Sequence, residues 1–78
     1  MSIAYLNGKF LPREEACIPV MDRGFLFGDG VYEVIPVYGG RLFRLEHHLQ
    51  RLAGSLDAIR IGNPMRNAEW QDLLEQVV

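Results

Sequence analysis

Residues 31–52 read Val-Tyr-Glu-Val-Ile-Pro-Val-Tyr-Gly-Gly-Arg-Leu-Phe-Arg-Leu-Glu-His-His-Leu-Gln-Arg-Leu, and within them the hydrophobic period changes from that of a strand to that of a helix. Val31 to Tyr38 is rich in β-branched and aromatic residues, which suit a pleated surface, so a strand is predicted there. Its alternation puts Val31, Glu33, Ile35 and Val37 on one face and Tyr32, Val34, Pro36 and Tyr38 on the other. Gly39-Gly40 predicts a hairpin turn into Arg41 to Arg44. From about Glu46 to Arg60 a helix follows, because Leu45, Leu49, Leu52, Ala53, Leu56 and Ile59 recur at helical spacing and make one apolar stripe.

Upstream, Met21 to Gly30 reads as a glycine-rich loop, and its Phe25 and Phe27 are expected to be packed down. Asn7-Gly8 separates Ile3 to Leu6 from Lys9 to Leu11, a strong hairpin signal because both turn positions favour positive φ. Ala16 to Val20 is a further short strand candidate, with Pro19 marking an edge. Downstream, Gly62-Asn63-Pro64 ends the long helix. Asn67 is the expected N-cap of a last helix with Trp70, Leu73, Leu74 and Val77 on its buried side. Strands first and helices after predict an α+β fold: a two-layer module of an antiparallel sheet covered on one face by helices.

The chain has 78 residues, 49% of them hydrophobic and 23% charged, the profile of a folded domain rather than a disordered one. A net charge of −2 with scattered cations offers no field for nucleic acid or an acidic membrane surface. Cys17 is the sole cysteine, so neither an intrachain disulfide nor a cysteine-based metal site is available. The start carries no positively charged leader, and no apolar run is long enough to span a bilayer; a cytoplasmic location is the expectation. Glu69 to Val78 reads as a helix that stops without a terminating signal, so the complete protein is expected to continue.

The residues that could carry chemistry are few. His48, Arg51 and Ser55 fall one helical turn apart as a polar strip beside the apolar stripe. Arginine at such an edge presents a planar fork suited to phosphate or carboxylate, although a surface ion pair is the commoner use of an arginine. Histidine at position 48 is by itself more often a packed side chain than a ligand, and His47 diverges from it around the helix. Glu33 interrupts an apolar strand; periodicity favours its facing solvent, the alternative being a polar partner at a site. Tyr32 and Val34 could line a pocket or be plain core. Gly28-Asp29-Gly30 fits neither standard phosphate loop. The dinucleotide pattern needs a glycine where Glu33 stands and a helix next, and the Walker pattern needs Gly-Lys-Ser/Thr. No Ser-His-Asp arrangement and no metal motif is present.

Taken together, Asp-Arg-Gly-Phe-Leu-Phe-Gly-Asp-Gly-Val-Tyr-Glu-Val over 22–34 and Glu-His-His-Leu-Gln-Arg-Leu over 46–52 resemble the class IV aminotransferases, fold type IV enzymes dependent on pyridoxal 5'-phosphate. The resemblance runs from about Tyr5 to Ile61. It implies that Arg51 binds the cofactor phosphate with His48 in support, and that Tyr32, Glu33 and Val34 lie at the substrate side of the site. It also implies amino-group transfer between an amino acid and a 2-oxo acid, and a homodimer. Tyr32-Glu33-Val34 looks most like the D-amino-acid enzymes, with D-alanine-like substrates. Branched-chain aminotransferases usually read Phe-Glu-Gly there and aminodeoxychorismate lyases Phe-Glu-Thr. Those two, or a non-catalytic dimerisation module, are the alternatives. Pro36 departs from the pattern.

The same resemblance locates what the chain lacks. Lys9 is the only lysine, at the first hairpin turn and thus a poor candidate to hold the cofactor covalently. In the family that Schiff-base lysine lies in a second domain, which here would fall beyond Val78. The chain is therefore expected to be an N-terminal small domain, residues 1–78, without its catalytic C-terminal domain. Alone it is expected to be inactive.

Overall fold

A computed structural model describes residues 2–78, which divide into two compact units, one up to Asp29 and one over Gly30–Gln76. The first opens with β1 (Ile3–Leu6) and β2 (Lys9–Pro12), paired antiparallel from Ile3 opposite Pro12 to Leu6 opposite Lys9. Asn7 and Gly8 close the turn at φ of 49° and 89°, the left-handed pair that matches the twist of a hairpin. Tyr5 and Phe10, directly opposite, meet edge to face at 5.0 Å between ring centroids. A single 3₁₀ turn, Arg13–Glu15, follows.

The glycine-rich stretch contains a short helix, α1 (Arg23–Phe27), where sequence reading expects only loop. Asp22 caps it by accepting the Gly24 backbone N–H at 2.9 Å, and Gly28 ends it at φ 71°. Asp-x-Gly at one end and glycine at the other are start and stop signals close enough together to go unread. The expectation that Phe25 and Phe27 are packed down is overturned: they are 70% and 65% exposed. Arg23 covers the Phe27 ring at 4.6 Å and pairs with Asp29 instead. Residues 16–20 form no strand.

The second unit begins with Val31 to Pro36, which is not paired with any strand among the described residues; only β3 (Val37–Tyr38) and β4 (Arg41–Leu42) make the hairpin, extended by Phe43 N–H donating to the Pro36 carbonyl at 2.8 Å. Pro36 has no N–H to give to a ladder. The segment still alternates: Val31, Glu33 and Ile35 are partly buried, while Tyr32 and Val34 are exposed. Helix α2 (Leu45–Ala58) starts after Arg44, held left-handed at φ 53°, and carries Glu46 in its first turn, where a carboxylate complements the helix dipole. Leu49 and Leu56 from its apolar stripe are the buried core, with Leu45 and Leu52 half-buried beside them. Each fully buried leucine contributes about 1.5–3 kcal/mol, so this core is thin.

Helix α3 (Asn67–Val77) is capped one residue earlier than expected, by Arg66 rather than Asn67. Glu69 accepts the Arg66 backbone N–H at 3.0 Å, and this bond together with the Arg66 side chain holds its carboxyl below the usual range. Asn63 takes a different part: its side-chain oxygen accepts from Trp70 Nε1 at 2.9 Å and from the Met65 backbone N–H, tying the inter-helix loop to α3. The result is an α+β fold whose antiparallel pairing is split between two two-stranded ribbons.

Candidate functional site

The five residues singled out from the sequence converge within the second unit. Glu33 reaches from the extended segment to α2, where His48 Nδ1 donates to its Oε1 at 2.8 Å and Arg51 Nε stands 3.6 Å from its Oε2. Both members of the close pair are shielded, with side chains 10% and 12% exposed. The expectation that Glu33 faces solvent is therefore wrong. A carboxylate desolvated to this degree needs partners, and one helical turn of α2 supplies two. Periodicity could say which face Glu33 shared, but not that a polar edge of another element would meet that face.

Tyr32, Glu33, Val34, Arg51 and Ser55 line an open hollow of about 350 Å³. Arg51 stays 61% exposed and, among the described residues, makes no hydrogen bond; its Nε side is taken up by Glu33, and its terminal nitrogens are free. Ser55, one turn further along α2, sets a hydroxyl on the same wall. Tyr32 and Val34, 85% and 72% exposed, are surface rather than core. His48 does not line this hollow. It lines a smaller, mostly apolar one of about 180 Å³ with Val31, Ile35, Leu49, Leu52 and Trp70, which Tyr32 and Glu33 also border. Trp70 reaches this neighbourhood from α3, a placement that helical spacing alone reads as core.

A larger hollow near β4 and the ends of α2 and α3 has Arg41, Arg44, Glu46 and Glu75 in its lining and contains none of the five residues. Among the described residues no cluster of histidine, cysteine, aspartate and glutamate could hold a metal ion, and no helix is long and apolar enough to cross a membrane. Lys9, on β2, belongs to the first unit.

The sequence is similar to known aminotransferases. D-alanine aminotransferase of Bacillus licheniformis is 43% identical over 92% of this chain and 25% of its own length. D-alanine aminotransferase of Staphylococcus haemolyticus is 39% identical over 100% of this chain and 28% of its own. The putative branched-chain-amino-acid aminotransferase of Methanocaldococcus jannaschii is 41% identical over 90% of this chain and 24% of its own. The chain thus spans about a quarter of the length of the curated relatives it matches. The family model for amino-transferase class IV matches residues 30–78, the whole of the segment that carries Tyr32, Glu33, Val34, His48 and Arg51, and the chain belongs to that family.

Proposed function

We propose that this chain is the phosphate-holding part of a pyridoxal-phosphate-dependent aminotransferase that, in its complete form, moves an amino group between a D-alanine-like D-amino acid and a 2-oxo acid. The observation that carries the reading is Arg51, a guanidinium with free terminal nitrogens on one wall of a hollow that Tyr32 and Val34 complete. The donor set fits a phosphate dianion: a planar cationic fork and the Ser55 hydroxyl on the same helix face, with Glu33 confined to the Nε side.

In this reading Arg51 holds the phosphate through charge-assisted hydrogen bonds, and Ser55 adds a neutral donor. His48 and Glu33 fix the arginine's surroundings from the shielded side. Tyr32 and Val34 present an aromatic face and a branched aliphatic side chain to the substrate, shaping its approach. When bound, the cofactor supplies an electron sink for the substrate's α-carbon. The lysine that such chemistry requires is not among these residues, since Lys9, the only one, is exposed on β2. The 78-residue chain by itself should therefore transfer no amino group. Pairing of two subunits and a cytoplasmic location belong to the same reading.

The names of the D-alanine aminotransferase relatives and the Tyr32-Glu33-Val34 triplet favour a D-amino acid. The Methanocaldococcus jannaschii relative favours a second reading, a branched-chain aminotransferase. Amino transfer to 2-oxoglutarate by the complete gene product separates them: D-alanine as the better donor supports the first, and L-leucine or L-valine the second. Release of pyruvate from aminodeoxychorismate without transfer would point to a lyase and overturn both.

A further inference from the structure

Val31 to Ile35 has no ladder partner among the described residues, yet its side chains alternate strictly between inward and outward. Something other than backbone pairing must hold that alternation, because a slip of one residue would exchange the two faces and turn Tyr32 and Val34 inward. Val31 and Ile35 contribute apolar contact along the small hollow, but such contact is non-directional and tolerates sliding. Glu33 supplies the directional tie. Its Oε1 accepts from His48 Nδ1 at 2.8 Å, and its Oε2 lies 3.6 Å from Arg51 Nε, so one side chain registers the segment bearing Tyr32 and Val34 against the helix bearing Arg51.

We propose that Glu33 is a positioning residue that sets which face of residues 31–35 meets the substrate, and that it does not itself touch substrate. The proposal rests on the cofactor and substrate reading of the hollow, and it replaces the substrate-binding role that family resemblance implies for this glutamate. What the position demands is an acceptor of the right length. The His48 contact is a short hydrogen bond, whereas the Arg51 contact exceeds hydrogen-bond distance and stands beside a solvent-exposed guanidinium, where an ion pair adds little. An ionised carboxylate can only accept, and in that form Glu33 accepts this bond from His48 Nδ1.

The test compares Glu33→Gln, which keeps length and an acceptor oxygen, with Glu33→Leu, which keeps neither charge nor acceptor, in the complete gene product with ¹⁵N-labelled histidine. The wild type and Glu33→Gln should both show His48 protonated at Nδ1, and Glu33→Leu should lose that signature. Glu33→Gln should keep the amino-acid KM within about threefold, while Glu33→Leu should raise it about tenfold, the factor that matches loss of one hydrogen bond in a shielded setting. Equal damage to kcat from both substitutions, with the His48 signature intact in both, would mean that Glu33 acts through its charge on the substrate and would overturn the proposal. Should Glu33→Leu fail to fold, the link is read from its other end. His48→Asn, whose amide nitrogen stands near the Nδ1 position, should keep KM near wild type while His48→Leu raises it, and equal KM values for those two would overturn the proposal as well. Arg51→Ala separates this from the broader reading: unchanged cofactor affinity there would defeat the phosphate-site assignment while leaving the His48 result to stand or fall alone.

Discussion

Replacing Arg51 with alanine in the complete gene product removes the fork and little else. Its contact with Glu33 is 3.6 Å long, its side chain is 61% exposed, and Glu33 keeps its 2.8 Å bond to His48. Exposed pairs of this kind contribute about 0–1 kcal/mol, so the melting temperature should move by no more than about 2–4 °C. Phosphate binding is a different matter. Up to two charge-assisted hydrogen bonds disappear, each about 1.5–3 kcal/mol when shielded. Screening at a half-open hollow trims the sum to about 2–4 kcal/mol, a loss of roughly 30- to 1,000-fold in affinity. Arg51→Lys keeps the charge without the planar fork and should fall between the two. Titration of the apoprotein with pyridoxal phosphate, followed by absorbance, measures the loss directly. A dissociation constant within about threefold of wild type, with the fold intact, would refute the reasoning, because a guanidinium making even one such bond cannot be removed so cheaply.

Two further outcomes follow from the packing and from the last helix. Leu49→Ala opens a void in a core whose other buried hydrophobic residue is Leu56; it should cost about 2–5 kcal/mol in thermal or denaturant unfolding, and a loss below about 1 kcal/mol would show that the core lies elsewhere. Glu69 has its carboxyl held below its usual value, near 4.5, by the Arg66 backbone N–H first and the Arg66 side chain second. The folded value is the lower one, so the cap's contribution is complete above the ordinary glutamate range and fades as pH falls through the folded value. Helicity measured by circular dichroism should show that acid-side loss, and Glu69→Gln should diminish it; an identical acid profile in the variant would count against the cap.

The placement of the candidate site residues was legible wherever a regular backbone period fixes it. Arg51, His48 and Ser55 were readable as one strip because helical spacing is rigid: once Leu49 and Leu56 choose the buried face, the position of Arg51 at its edge follows. Tyr32 and Val34 were readable as a pair for the same reason on a two-residue period. The strand predicted from Val31 shrank to β3 because β propensity describes the residue and says nothing of a partner, and none of the described residues pairs with that stretch. Helix α1 went unread because five residues are too few to show a period.

What the sequence by itself determined was local: the Asn7-Gly8 turn, the α2 stripe, and the alternation through Tyr32, Glu33 and Val34, each set by dihedral preference or by the period of a regular backbone. What only tertiary structure decided was the partner of Glu33. Alternation fixes the face on which a carboxylate lies, but whether that face meets water or a histidine on another element depends on how the two elements dock. Docking is settled by the shape and burial of the whole unit, which no window of sequence contains.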